Sequence, residues 1–207
     1  MKTVLQINTS LFANAGQSTA LANRFVAAWR QRNPQDRVLV RDLGQEPVPH
    51  LDAARFAAFG AQPEQRSPEQ QAVVAYSDGL IDELERADVI VLGLPLYNFG
   101  VPSQLKAYFD HIARAGVTFR YTENGPVGLL KGKTVYVLAA RGGRYAGTEL
   151  DSQTAYVKAF LGFLGLDDVR FVYAEGLAMG ESSKQTALSE AYRSIERLAV
   201  VPAAAAA

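Results

Sequence analysis

Asp88 to Asp110 reads DVIVLGLPLYNFGVPSQLKAYFD. Its first eight residues, Asp88–Pro95, are almost continuously apolar. A strand wetted on one face alternates apolar with polar residues, whereas a strand covered on both faces does not. The segment therefore predicts a buried parallel strand. An amphipathic helix is expected over Val101–Ala115, with Leu105, Tyr108, Phe109 and Ile112 on its buried side. Between strand and helix stands Leu96-Tyr97-Asn98-Phe99. These residues are poor material for a tight turn and odd material for a solvated loop. A flat, partly polar ligand lying against them would account for both.

The same alternation of strand and helix extends in both directions. Val4–Asn8, Arg37–Asp42, Thr134–Ala140 and Val169–Ala174 read as further strands. Ser18–Arg32, Ser67–Arg86, Asp151–Leu164 and Ser183–Val200 read as helices, and Gly165 supplies a left-handed cap after the third of these. Five β/α alternations with apolar strands predict an α/β fold: a five-stranded parallel sheet with helices on both faces, three layers in all. Nothing marks a domain linker or a repeat. One domain over residues 1–200 is expected, with Pro202 and the five alanines of 201–207 as a tail outside the fold.

Composition narrows the function. Of 207 residues 48% are hydrophobic and 20% charged, and 21 basic residues balance 21 acidic ones. No basic patch invites nucleic acid or an anionic membrane surface. The chain has no Cys, which excludes disulfides and thiolate chemistry. The two histidines, His50 and His111, are far apart and are expected on the surface or in helix packing. Neither a metal centre nor a Ser-His-Asp triad is therefore expected. No apolar run approaches the roughly 20 residues of a membrane span, so a cytoplasmic protein is expected.

In open parallel sheets, ligands bind beyond the carboxyl ends of the strands, where the strand order reverses. Three loops, Thr9–Gln17, Leu96–Gly100 and Arg141–Gly147, therefore carry the functional reading. The first lacks a G-x-G-x-x-G pattern, which weakens a dinucleotide-binding reading even though Asp42 closes the second strand. The helix starts are more informative. Ser67-Pro68-Glu69-Gln70 caps itself. Gly16-Gln17-Ser18-Thr19 has no acid in its first turn, leaving N–H groups and the positive dipole end for an outside anion. Ser10, Ser18 and Thr19 add hydroxyls, and Gly16 allows close backbone approach. These features suit a phosphate, although a plain Ser-capped helix would also read this way.

The other two loops offer Tyr97 and Phe99 to flank a ring, Asn98 to meet its heteroatoms, and Gly142 and Gly143 to bring backbone close to a ligand edge. A phosphate at one end and a flat heteroaromatic at the other describe a mononucleotide. FMN fits best, since flavodoxin-like sheets hold it at this position. Diglycine as a simple turn and strand-end aromatics as core are the bland alternatives.

PLYNFGVPSQLKAYFDHIARAGVTFRYTENGPVGLLKGK, within Pro95–Lys133, together with RGGRY at Arg141–Tyr145, resembles the FMN-dependent NAD(P)H azoreductases, relatives of the flavodoxin-like quinone reductases. The similarity runs from Lys2 to about residue 200. It implies phosphate contacts at Ser10, Gly16, Gln17 and Ser18. It implies flavin-ring contacts at Leu96, Tyr97, Asn98 and Phe99, and at Ala140, Arg141, Gly142 and Gly143. Many members carry Met where Leu96 stands and Ser where Ala140 stands. The implied activity is reduction of quinones and cleavage of azo compounds by hydride from NADH or NADPH through FMN. No protein nucleophile or acid–base pair is then required.

Gly116–Lys133 runs 18 residues, longer than the usual connection of about 4–6 residues. A working loop or small hairpin turning at Asn124-Gly125-Pro126 is expected there. Leu43–Arg66 is a second long insert. Phe119, Tyr121, Phe56 and Phe59 on these inserts are candidate substrate contacts, although anchoring the loops to the core would also explain them. The resemblance implies that the inserts wall the cleft partly across a homodimer interface. A flavodoxin-type single-electron carrier is the alternative function; the neutral charge and long aromatic loops speak against it. A flavin-free scaffold domain of the same fold is a third possibility.

Overall fold

The computed structural model describes residues 1–199. Val200, the last residue of the expected final helix and domain, and the expected tail 201–207 lie outside the described residues. In chain order the elements are β1 (Thr3–Asn8), α1 (Gln17–Arg32), β2 (Arg37–Asp42), α2 (Ala53–Gly60), α3 (Pro68–Arg86), β3 (Val89–Pro95), α4 (Ser103–Ile112), β4 (Phe119–Thr122), β5 (Gly125–Gly128), β6 (Thr134–Ala140), α5 (Ser152–Phe163), β7 (Asp168–Ala174) and α6 (Glu181–Leu198). Five strands form one parallel sheet in the order β2-β1-β3-β6-β7. The order reverses at the β1–β3 pair, so the loops after these two strands open at one place.

The apolar runs are apolar because both sheet faces are covered. All seven residues of β3 and all seven of β6 are buried. On one face Leu80 and Leu84 of α3, Leu105 and Phe109 of α4, and Val157 and Leu161 of α5 pack on Ile90, Leu92 and Val137. On the other, Leu21, Phe25 and Trp29 of α1 and Ile195 of α6 pack on Val89, Val91 and Tyr136. β2 and β7 are the edge strands and are only partly covered.

Three local expectations change. Helix α4 is shorter than Val101–Ala115, because Pro102 holds an extended conformation (ψ 141°) before the first helical residue, and a residue preceding proline avoids the helical region. The helix stops where the Arg114 N–H turns to Thr118 Oγ1 (3.0 Å). The Gly116–Lys133 segment does hold a hairpin, β4–β5, but its two-residue connection is Glu123–Asn124, one residue before the expected turn. Gly125 (φ 103°) takes the left-handed position after it. Finally, Tyr97–Gly100 is a tight turn. Tyr97 N donates to Gly100 O (3.2 Å) and Gly100 N to Tyr97 O (2.9 Å), with Asn98 at φ 49° and Phe99 at φ 61°. Two successive left-handed residues are the geometry of a hairpin turn of the primed type. Asn tolerates it; Phe has no intrinsic preference for it, and the pattern was therefore not legible.

Candidate functional site

Helix α1 begins at Gln17 with Gly16 as N-cap (ψ 136°), no side-chain cap and no acid in the first turn. Helix α3, by contrast, carries a full capping box from Ser67 and Gln70. Just inside the α1 start, the Ser18 Oγ and Thr19 Oγ1 hydroxyls are buried without a hydrogen-bond partner. A buried unpaired hydroxyl costs about 1–3 kcal/mol, so this helix end is built for acceptor oxygens that the chain does not itself provide. Glycine is required at position 16: a Cβ there would lie 2.1 Å from Ser10 Oγ. Gly93 plays a related part beneath. Its absent side chain lets the helix backbone at Ser18 rest on β3, where a Cβ would meet Ser18 O at 3.0 Å.

The turn after β3 closes against this loop. The Tyr97 hydroxyl shares a hydrogen bond with Ser10 Oγ (3.3 Å) and accepts from Leu11 N (3.3 Å). The Leu96 N–H donates to Ala140 O (3.1 Å), so the β3 and β6 loops are joined as well. Together these elements line a cleft of about 170 Å³ formed by Ser10, Phe12, Gly16, Gln17, Ser18, Pro95, Leu96, Tyr97, Ala140, Arg141, Gly142 and Leu177. Nine of the residues named from sequence therefore meet there. Phe12, Pro95 and Leu177 were missed. Phe12 lies inside the first functional loop, Pro95 directly before the second and Leu177 in the loop after β7; as ordinary apolar residues they carry no signal of their own.

Asn98, Phe99 and Gly143 stand outside that lining. Phe99 is 53% exposed, and its ring meets Tyr145 edge-on at 5.5 Å. It borders a separate groove of about 520 Å³ with Val101, Lys106 and Tyr156. Gly143 sits under Tyr145, whose hydroxyl would be 2.5 Å from a Cβ at that position. The carbonyls of Arg141, Gly142 and Gly143 accept from Leu177, Ala178 and Gly176 N–H groups respectively, so the diglycine loop is stitched to the loop after β7.

Arg141 reaches the cleft only near its backbone. Its guanidinium is fully buried and runs the other way, to Asp151 (2.9 Å) and Glu175 (3.1 Å). Thr154 Oγ1 accepts from it at 3.0 Å, and it lies over the Tyr173 ring at 4.9 Å. Burial of Asp151 opposes its charge, yet hydrogen bonds from Arg141 and Thr154 hold its carboxyl below the usual range. The second Glu175 role is local: its Oε1 accepts from the N–H groups of Tyr145 and Ala146, both at 2.9 Å.

The remaining candidates divide. Phe119 is buried against Phe163 (4.3 Å) and anchors the hairpin. Phe59 is half-buried between the His111 ring and the Arg114 guanidinium, 4.8 Å from its centroid. Tyr121 and Phe56 project, 74% and 66% exposed. None of the four lines the 170 Å³ cleft. Asp42 is occupied elsewhere, its carboxylate accepting from Gly44 N (2.9 Å) and Gln45 N (3.2 Å). His111 is a core residue, its Nδ1 directed to Ala107 O (3.0 Å).

A parallel sheet in this order, with an open helix start, a carbonyl-stitched diglycine loop and an aromatic turn at the switch point, defines a flavodoxin-like protein. The family model of the flavodoxin-like fold matches residues 2–199, and the chain belongs to that family. It is 58% identical over 197 residues to the FMN-dependent NADH:quinone oxidoreductase of Cellvibrio japonicus, covering 95% of this chain and 98% of that one. FMN-dependent NADH:quinone oxidoreductase 6 of Burkholderia lata is 56% identical over 94% of this chain and 98% of its own length. Among solved structures, an azoreductase from Bacillus anthracis superposes with a TM-score of 0.88 at 29% identity, over 96% of this chain and 99% of that one. An FMN-dependent NADH-azoreductase of the same species, in complex with FMN, gives 0.85 at 30% identity over 96% and 100%. The resemblance read from Pro95–Lys133 and Arg141–Tyr145 is borne out.

Proposed function

We propose that this chain is an FMN-dependent oxidoreductase that uses NADH to reduce quinones and aromatic azo compounds. The carrying observation is the α1 start, where an acid-free helix terminus and Ser18, whose buried hydroxyl has no partner, line the same cleft as Tyr97 and Gly142. The relatives' names agree with this reading. Bound FMN supplies the hydride chemistry itself. Ser10, Gly16, Gln17 and Ser18 would hold its phosphate. Leu96, Tyr97, Ala140, Gly142 and the backbone of Arg141, which line the cleft, would hold its ring, with Asn98, Phe99 and Gly143 beside them at its border. The protein contributes orientation, exclusion of water and positive backbone dipoles directed at negative charge.

NADH and acceptor would share the one cleft and take turns in it, which would make the kinetics ping-pong. One NADH and one proton convert a quinone to its hydroquinone; cleaving an azo bond to two amines takes two such cycles. The need for NADH favours a cytoplasmic location. We further propose one flavodoxin-like domain per chain and a homodimer, in which the exposed Tyr121 and Phe56 wall a neighbouring cleft. Purified protein should be yellow, and NADH oxidation with a quinone should give parallel double-reciprocal lines. A colourless protein that ignores added FMN would refute the assignment, whereas a flavoprotein that lacks NADH:quinone turnover would point to an electron carrier.

A further inference from the structure

Gln153 is the second residue of α5 and is only 1% exposed. Its Nε2 donates to Pro95 O (2.8 Å) and to Gly100 O (3.3 Å), the two ends of the segment that carries the strained turn. Its Oε1 faces the Arg141 guanidinium at 3.4 Å. The amide has one possible orientation, because a guanidinium only donates and peptide carbonyls only accept. The neighbouring Ser152 Oγ donates to Phe99 O, within the same turn. Arg141 is in turn fixed by Asp151 and Glu175. A single buried amide thus ties the β6 loop to the neighbouring β3 loop, and both line the cleft.

The turn needs this support. Residues with a side chain in the left-handed region cost energy and persist only where their surroundings over-determine them. Tyr97–Gly100 has two in succession, and its own backbone supplies just two hydrogen bonds.

We propose that Gln153 is a positioning residue for the flavin site. Held in one orientation by Arg141, it fixes the Tyr97–Gly100 turn and so sets where Tyr97 and Asn98 stand relative to the ring. The proposal rests on the FMN reading given above. It is separable from it because the turn can be observed without flavin.

The test uses two volume-conserving variants. Gln153→Met removes the donor and keeps the packing. Gln153→Glu keeps a partner for Arg141 while presenting oxygen to the two carbonyls. In the apoprotein, amide hydrogen exchange at Tyr97 and Gly100 should speed up roughly 10-fold in either variant, as losing one or two net hydrogen bonds implies. Exchange in the strands of the sheet should not change. With FMN, both variants should bind more weakly by a similar factor in fluorescence titration and shift the visible flavin bands. kcat should fall more than KM rises. If Gln153 serves packing alone, Gln153→Met keeps wild-type exchange, FMN affinity and spectrum, and the proposal is overturned. Should Gln153→Met fail to fold, Gln153→Glu decides by the same readouts. Wild-type protein that takes up no FMN overturns the flavin reading instead, while the exchange comparison still decides whether Gln153 holds the turn.

Discussion

Asn98 and Ser18 show how single residues divide conformation from chemistry. Asn98 holds φ 49°, a conformation that costs Ala more than Asn. Asn98→Ala therefore tests two things at once, and Asn98→Gly separates them. Both variants lose the amide beside the proposed ring, and kcat/KM should fall roughly 5- to 150-fold in each. Ala alone should also lower apoprotein stability, by about 0.5–1 kcal/mol. Urea titration beside steady-state kinetics reads both effects. A loss of activity in the Ala variant only would assign the effect to the turn rather than to the amide. At Ser18 the argument is electrostatic. The α1 start has no acid in its first turn, and an Asp at position 18 would set negative charge where a phosphate is expected. Ser18→Asp should weaken FMN binding at least roughly 100-fold, two such charges opposing at short range, with an unchanged far-UV CD spectrum. Unaltered affinity in a fluorescence titration would move the phosphate elsewhere.

At the scale of elements, two helix starts in one chain do different work. Ser67 caps α3 and accepts from Gln70 N at 3.3 Å, while Gln70 Oε1 accepts from Ser67 N at 3.0 Å. Ser67→Ala should cost about 1 kcal/mol of stability and leave FMN affinity as it was. Thermal melts with and without flavin distinguish this from the Ser18 case. The β4–β5 hairpin owes its seat to glycine meeting glycine. A Cβ at Gly128 would stand 2.0 Å from Gly165 N, and Gly165 itself is left-handed (φ 90°). Backbone on both sides cannot yield as a flexible side chain would. Gly128→Ala should therefore destabilise by about 2 kcal/mol or more. It should also unseat Tyr121 from any wall it forms in a dimer. An unchanged urea midpoint would mean that the hairpin docks independently of α5.

Over the whole molecule, acid stability draws on lowered carboxyls, Asp151 and Asp168 among them. Asp151 is held low by Arg141 and Thr154 against the effect of its burial. Asp168 is lowered first by its hydrogen bond from Arg170 and then by that from Thr134, burial acting against them. A carboxyl lowered in the folded state contributes stability that is fully present above its unfolded pKa, near 4. The contribution is lost as pH falls through the lower folded value. Burial lowers the His111 imidazole as well, so stability should decline gently as pH falls through the unfolded histidine value, near 6.5, and drop further below about pH 4. Asp151→Asn should flatten part of that drop; an unchanged acid limb would show that the Arg141 cluster does not govern it. Assembly is tested at the same scale. Sedimentation should give about twice the 22.4 kDa chain mass, and a fully active monomer would remove the role proposed for Tyr121 and Phe56.

What the sequence determined by itself were properties carried by neighbouring residues. Burial on both sheet faces leaves runs such as VIVLGLP without alternation, so the parallel sheet was readable from Val89–Pro95. Capping is settled within four residues, so the contrast between Gln17 and Ser67 was readable too, and with it the open end of α1. The direction of Arg141 was not. Beside two glycines it stands among the flavin-ring contacts that the resemblance implies, with nothing local to say where its guanidinium goes. Its partners Asp151 and Glu175 come from positions 10 and 34 residues further along, and only the convergence of β6, α5 and β7 turns the guanidinium inward. Phe119 and Phe59 likewise became anchors because Phe163 and Arg114 lie where the fold brings them. The turn at Tyr97–Gly100 is the sharpest case. Tyr-Asn-Phe-Gly has no strong local preference for two left-handed residues, and it takes that form where Ser152 and Gln153, more than 50 residues away, hold its carbonyls. Local free energies write themselves into adjacent residues, whereas a charge's direction or a strained turn is decided by groups that meet only after the chain has folded.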